Sequence, residues 1–333
     1  MTVQTSSNEP DPGSPAPNRE LLSLAPFRQG KAAVAGFDKP IKLSANESHL
    51  GPSPAAIAAF RESAQSLANY PDGAQTQLRS AIAATFALPA ENIVCGNGSD
   101  ELLQLLIRGY LRPGDQIVFS RYSFAMAMVH ATAQGATLVI ADEPQLRPDA
   151  NEILAAVNKK TRMVLLASPN NPVGQYIAAD ELWRLHRELP PDVLLVVDSA
   201  YADYVVAPDY ECGAALVAAS SNTVMTRTFS KLYGLAGARI GWCYAPSNVV
   251  DMLQRIRTPF NASTEAMAAA AAAVLDVQYS AHVRDYNARE LQRIAAAVRA
   301  NFAGVEFIPS FANFYLLRFD NDRHTAAGAA ADL

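Results

Sequence analysis

The chain has 333 residues, and half of them are hydrophobic. This is longer than a chain that usually folds around a single hydrophobic core, so we expect two domains. Its net charge of −5 argues against a non-specific nucleic-acid surface and favours small-molecule partners. The 3 cysteines show no metal-ligand spacing, so no metal site is predicted. The N-terminus is not a signal peptide and no apolar run reaches the roughly 20 residues of a membrane helix, which indicates a cytoplasmic protein without membrane contact.

The N-terminal part divides into a leader and an arm. Residues 1–19 are rich in Ser, Pro and Asn and predict a disordered leader. Residues 20–60 predict an arm that joins a smaller domain, with a short strand at 41–43 and a helix opened by Ser53 or Pro54. We assign residues 61–248 to a large domain and residues 249–333 to a small C-terminal domain.

Short apolar strands alternate with amphipathic helices through the large domain. Strands are predicted at 92–95, 116–120, 137–140, 163–168, 194–198, 224–227 and 240–244. Helices are predicted at 75–86, 99–110, 124–134, 152–157 and 179–188. This alternation predicts an α/β fold in which a mostly parallel sheet is covered by helices on both faces, with ligands at the carboxyl ends of the strands.

The C-terminal part changes character. Helices are predicted at 249–257, 264–277 and 281–302, and they are followed by strands at 305–308 and 313–319. This order predicts a smaller α+β domain beside the large one.

Lys231 is the only lysine after Lys160, although arginines are frequent there. It stands in a turn between two predicted strands. An amine that loses its proton can attack a carbonyl and form a Schiff base, and an arginine cannot replace it in that role. A surface lysine without a chemical role is the alternative.

Polar residues follow several of the predicted strands. Gly98, Ser99 and Asp100 open an apolar helix, where backbone N–H groups and glycine favour an anion such as phosphate, although an ordinary capped helix has the same pattern. Asn171 lies in a loop that two prolines constrain, and a plain turn is the alternative. Asp198 ends an apolar strand, where a carboxylate needs a cationic partner, or alternatively caps a helix.

Together these parts are the ones that hold pyridoxal phosphate, whose ring nitrogen needs a carboxylate and whose aldehyde needs an amine. The sequence also resembles a known family in four motifs: GNGSDE (96–101), SPNNPVG (168–174), VVDSAYADY (196–204) and TFSKLYGLAGARIGW (228–242). They resemble those of the fold-type I, class II aminotransferases. The segments NES-LGPSP (46–54) and YPDGAQTQLR (70–79) narrow the resemblance to histidinol-phosphate aminotransferases.

The resemblance implies a role for each site residue. Lys231 would attach the cofactor and then move the proton between the substrate and the cofactor. Asp198 would pair with the ring nitrogen, and Tyr201 would bind the phenolic oxygen. The remaining cofactor contacts would come from Asn171 at the phenolic oxygen, Phe124 on the ring face, and Gly98, Ser99, Asp100, Ser230 and Arg239 around the phosphate.

Two further residues extend the site. Tyr70 would reach the cofactor phosphate of a neighbouring subunit, which implies a homodimer. Asn46, Tyr70 and Asn171 would also lie near the substrate.

The resemblance implies an amino transfer between L-histidinol phosphate and 2-oxoglutarate in histidine biosynthesis. Three alternatives stay open: an aromatic amino acid aminotransferase, a pyridoxal phosphate-dependent decarboxylase of a phosphoamino acid, and a truncated protein that binds the cofactor without turnover. In this family, arginines that hold the anionic groups of the substrate lie beyond the point where this sequence stops. We therefore expect an incomplete small domain and poor processing of histidinol phosphate by the 333-residue form.

Overall fold

The computed structural model describes residues 43–319, together with positions 15, 18–22, 24 and 38. Most of the predicted leader, two residues of the predicted strand at 41–43, and residues 320–333 lie outside this description. Leu43, the described residue of that strand, is not in a strand.

Seven strands form the central sheet of the described chain: β1 (Ile93–Gly96), β2 (Gln116–Ser120), β3 (Thr137–Ala141), β4 (Thr161–Ala167), β5 (Leu194–Asp198), β6 (Thr223–Thr228) and β7 (Gly241–Tyr244). Their spatial order is β1-β7-β6-β5-β4-β2-β3. Neighbouring strands are parallel except that β7 runs antiparallel to both β1 and β6. The predicted mostly parallel sheet is therefore confirmed.

Helices cover both faces of this sheet. The helices up to β7 are α1 (Arg19–Leu22), α2 (Pro54–Ser63), α3 (Thr76–Phe86), α4 (Gly98–Tyr110), α5 (Ala125–Ala133), α6 (Ala150–Ala156), α7 (Ala179–Glu188) and α8 (Ala214–Ala219). Strands β5 and β6 are buried along their whole length because they face helices on both sides. Separate buried clusters pack on the two faces, one of them around Phe229 and Trp242 and another around Leu106 and Phe119.

The chain after β7 is mainly helical and ends in a small sheet. It contains α9 (Ser247–Ile256), α10 (Thr264–Leu275), α11 (Val277–Asn301), β8 (Val305–Ile308) and β9 (Leu316–Phe319). Strands β8 and β9 pair antiparallel and pack on α11. This arrangement is the α+β unit that the sequence predicts, and the assigned domain boundaries stay predictions.

Two features are absent from the described residues. No helix there is both long and apolar enough to cross a membrane. The same residues contain no group of three or more His, Cys, Asp or Glu side chains that could hold a metal ion.

The parallel strands β4, β5 and β6 direct their carboxyl ends to one edge of the sheet. Asp198 is the last residue of β5, and Lys231 follows the end of β6 by three residues. The loop that carries Asn171 follows β4. The topology therefore brings residues that are far apart in sequence to one place.

Candidate active site

A cavity of about 620 Å³ opens at this edge of the sheet. Ten predicted site residues line it: Asn46, Ser99, Asp100, Phe124, Asn171, Asp198, Tyr201, Ser230, Lys231 and Arg239. Gly98 lies against the Arg239 guanidinium, directly beside the cavity. Tyr70 lies elsewhere on the molecular surface.

Lys231 offers its amine inside the cavity. Its Nζ donates hydrogen bonds to the carbonyl oxygens of Ala45 (3.1 Å) and Asn46 (3.5 Å). Burial lowers the pKa of Lys231, and Arg239 lowers it further, whereas the carboxylates of Glu47 and Asp198 oppose this shift. A desolvated lysine near a second cation loses its proton more readily, as a nucleophilic amine requires.

Asp198 is a buried carboxylate at the end of β5. Its Oδ1 accepts a hydrogen bond from Thr226 Oγ1 at 3.0 Å. Burial raises the pKa of Asp198 to about 6, and the negative charge of Asp100 adds to this rise, while the hydrogen bonds from Thr226 and the Ala200 N–H oppose it. Such a carboxylate gains most from a protonated nitrogen placed against it.

Two amide groups donate to the oxygen of Tyr201. Asn46 Nδ2 lies 3.3 Å from this oxygen and Asn171 Nδ2 lies 3.4 Å from it. Burial raises the pKa of Tyr201 to about 12, so the phenol keeps its proton. Because the two amides occupy the lone pairs of the oxygen, the O–H group is left to donate to an acceptor in the cavity.

The start of α4 and the segment around β7 form a cradle for an anion. Gly98 has φ +80°, and a Cβ atom there would lie 2.7 Å from Arg239 Nη2. A Cβ atom on Gly241 would lie 2.4 Å from the backbone nitrogen of Ser99. Arg239 also donates to Ser230 Oγ at 3.4 Å. Free N–H groups at a helix start, a hydroxyl group and a guanidinium suit a phosphate.

Phe124 and Tyr70 differ in their placement. Phe124 immediately precedes α5 and lines the cavity, with 41 % of its surface exposed. Tyr70 is 82 % exposed and stacks on Phe260, with 4.6 Å between the ring centroids. Within the described chain the structure therefore places Tyr70 outside the cavity.

The sequence interpretation missed several polar residues that line the cavity or bond to residues that line it. Thr226 and Thr228 are hydroxyl residues inside the fully buried strand β6, and this pattern was a signal for a site. Thr228 lines the cavity, and its Oγ1 accepts the N–H of Ser230 at 3.1 Å. Asn313 donates from Nδ2 to the carbonyl oxygen of Asn46 at 3.0 Å, and no local pattern indicates that contact.

The chain is similar in sequence to proteins of known function, and this similarity agrees with the geometry of the cavity. The sequence profile of the family described as aminotransferase class I and II matches residues 38–330. The chain is 47 % identical over 305 residues to a histidinol-phosphate aminotransferase of Rhodospirillum centenum, covering 92 % of this chain and 84 % of the relative. It is 46 % identical over 320 residues to one of Rhodopseudomonas palustris, covering 96 % and 86 %.

The fold of the chain is also similar to that of a solved structure. The histidinol-phosphate aminotransferase of Sinorhizobium meliloti in complex with pyridoxal-5'-phosphate is similar with a TM-score of 0.80. The two chains are 32 % identical, and the similarity covers 84 % of this chain and 75 % of that chain.

The chain belongs to the class I and II aminotransferases. Within them, the relatives named above are histidinol-phosphate aminotransferases. The predicted family, the fold class, the enzyme class and pyridoxal phosphate as its cofactor are thus confirmed.

Proposed function

We propose that the chain transfers the amino group of L-histidinol phosphate to 2-oxoglutarate, which yields imidazole acetol phosphate and glutamate in histidine biosynthesis. One observation carries the proposal: a single cavity unites an amine of lowered pKa, a buried carboxylate and an anion cradle. The names of the relatives support the choice of substrate.

The residues of the cavity fit pyridoxal phosphate. The cradle would hold the phosphate, since Gly98 and Gly241 let the Arg239 guanidinium and the Ser99 backbone nitrogen approach more closely than a Cβ atom would allow. Asp198 would hold the ring nitrogen, and Tyr201 with Asn171 the phenolic oxygen. When bound, pyridoxal phosphate supplies a protonated ring that withdraws electrons from the α-carbon of the substrate.

The protein's own groups perform the remaining work. The Lys231 amine, once free of its proton, can take the proton from the α-carbon and return it elsewhere, as a general base and acid. Asp198 stays ionised above its pKa of about 6 and favours a protonated partner. Tyr201, which keeps its proton, donates a hydrogen bond and stabilises negative charge on an oxygen.

We further propose a cytoplasmic homodimer in which Tyr70 of one subunit reaches the site of the other. The exposure of Tyr70 and its stacking on the half-exposed Phe260 support this assembly, because both rings offer apolar surface to a partner.

The substrate is tested by steady-state kinetics with 2-oxoglutarate as the acceptor. We expect a higher kcat/KM for histidinol phosphate than for phenylalanine, with glutamate as the product. A higher value for phenylalanine would favour an aromatic aminotransferase, and carbon dioxide release without glutamate a decarboxylase. Cofactor binding without glutamate formation from either amine would contradict the proposal.

A further inference from the structure

Glu143 is a buried carboxylate beside the cavity that the proposed reaction does not use. It follows β3 by two residues, and only 5 % of its surface is exposed. Burial raises the pKa of Glu143, and hydrogen bonds from Ser120, Tyr122 and Asn170 oppose that rise. A carboxylate removed from water requires such donors, so the identity of the donors shows what Glu143 holds in place.

The two oxygens of Glu143 bind two different loops. Oε1 accepts the backbone N–H of Tyr122 at 3.2 Å, in the loop that leads from β2 to Phe124. Oε2 accepts the side-chain amide of Asn170 at 2.8 Å, next to Asn171 in the loop after β4. Phe124 and Asn171 both line the cavity. We call these two hydrogen bonds the Glu143 bridge.

Local hydrogen bonds fix the shape of each loop by itself. In the first loop, Ser123 Oγ donates to the carbonyl oxygen of Ser120 at 2.8 Å. In the second loop, Asn170 is fully buried and its Oδ1 accepts the N–H of Gln175 at 3.2 Å. The amide nitrogen of Asn170 therefore has to point towards Glu143. The Tyr122 N–H and the Asn170 amide are both donors, so the bridge requires an acceptor at each oxygen of Glu143.

We propose that Glu143 is a positioning residue for the cofactor. The ionised carboxylate of Glu143 fixes the Phe124 loop against the Asn171 loop. A stacking ring and an amide group hold a flat cofactor well only if the spacing between them is constant. The inference rests on the proposed function, because it concerns the same cavity. It adds a residue that touches neither cofactor nor substrate.

The variant Glu143→Gln tests the bridge with almost no change of shape. The new amide group turns a donor towards either Tyr122 or Asn170, so one hydrogen bond is replaced by a contact between two donors. We expect pyridoxal phosphate to leave the purified holoenzyme about 10- to 100-fold faster, which corresponds to the loss of a hydrogen bond to a charged group. The release rate is measured by trapping the free cofactor after dilution.

A double variant separates positioning from general packing. In Glu143→Gln/Asn170→Asp, the new amide donates to the new carboxylate, and its carbonyl still accepts the N–H of Tyr122. The N–H of Gln175 also keeps an acceptor. We expect the double variant to release the cofactor at nearly the original rate. If Glu143→Gln fails to fold, the double variant is compared with Asn170→Asp alone, in which two carboxylates face each other.

Asp142→Asn is the matched control. It removes the neighbouring carboxylate, which pairs with the exposed Arg121, and we expect it to leave cofactor release unchanged. Hydrogen–deuterium exchange in the cofactor-free protein gives a second readout. Glu143→Gln should speed exchange in both 120–126 and 168–175, and Asp142→Asn should not speed it in 168–175.

Two results would overturn the inference. One is a Glu143→Gln protein that keeps the cofactor as long as the unaltered chain, and the other is a double variant that loses it as fast as the single variant. Either would leave the proposed function intact. Conversely, if the unaltered chain bound pyridoxal phosphate but preferred another amine, the proposed substrate would be wrong and the Glu143 bridge would stand.

Discussion

Burial and Arg239 lower the pKa of Lys231, as the role proposed for its amine requires. We predict that Lys231→Arg keeps a positive charge but abolishes transamination, because a guanidinium stays protonated. Borohydride should fix the cofactor to the peptide that carries Lys231 in the original protein and to no peptide in the variant. Lys160→Arg, at an exposed position, is the control and should behave like the original. Turnover by Lys231→Arg at the original rate would contradict the assignment.

Asp198 is predicted to act through its charge. Asp198→Asn keeps the shape of the side chain but removes the negative charge that favours a protonated ring nitrogen. We expect the chemical step to slow by several kcal/mol of activation free energy, or roughly 10³-fold or more. Single-turnover absorbance measurements separate this step from substrate binding. An unchanged rate would mean that Asp198 only accepts the hydrogen bond of Thr226.

The same carboxylate makes stability depend on pH. The folded state raises the pKa of Asp198 from 3.8 to about 6, so folding binds a proton more tightly there. The stabilisation is complete below pH 3.8 and is lost as the pH rises through about 6. It amounts to at most about 3 kcal/mol. Denaturant titration of the cofactor-free protein should show this loss between pH 4 and 7, and Asp198→Asn should lack that part of it.

The helices and strands show how far local sequence patterns reach. Strands β2, β5 and β8 and helix α7 have the predicted bounds, because apolar runs and helical periodicity are local signals. Asp276 shifts the boundary between α10 and α11, since it ends the first helix and accepts the N–H of Tyr279 to cap the second. Strand β9 starts at Leu316 instead of 313. The residues before it form other hydrogen bonds: Asn313 donates to the carbonyl oxygen of Asn46, and the carbonyl oxygen of Ala312 accepts from Asn287.

The cradle depends on how closely β7 approaches α4. We predict that Gly241→Ala weakens cofactor binding and destabilises the fold by about 1–3 kcal/mol, because its Cβ atom would meet backbone atoms that cannot move aside. Those atoms lie 2.4 Å (Ser99 N) and 2.6 Å (Gly98 C) from the Cβ position. Gly237→Ala is the matched control, since nothing lies within 4 Å of its Cβ position. Cofactor titration and thermal unfolding of both variants measure the effect, and equal behaviour would contradict it.

The residues of the candidate site were predictable where a charged or polar side chain lies at or just after the end of a strand. Lys231, Asp198 and Asn171 each follow or end a buried strand, and the parallel topology brings those ends together. The contacts between side chains distant in sequence were not predictable. Asn46 reaches Tyr201 across 155 residues, and no periodicity or turn signal encodes such a pairing.

At the scale of the whole molecule, an exposed apolar surface remains that the described chain does not cover. Tyr70 is 82 % exposed and stacks on the half-exposed Phe260. Exposed aromatic rings that lie together are typical of protein–protein interfaces. The proposed homodimer would cover it and would bring Tyr70 to the partner's cavity.

Mixing two impaired variants tests this assembly. Tyr70→Phe should weaken cofactor retention by removing one hydroxyl contact, and Lys231→Ala should be inactive. In a mixed dimer, the subunit with Tyr70→Phe still has Lys231 and faces an unaltered Tyr70, so one of the two sites is complete. Random reassortment of equal amounts makes half of the dimers mixed, so about a quarter of the sites should work. We therefore expect cofactor retention and transamination to rise towards that fraction after subunit exchange. Activity that stays at the average of the separate variants, or a monomer in sedimentation at full cofactor occupancy, would contradict a shared site, because each cavity would then contain all of its contacts within one chain.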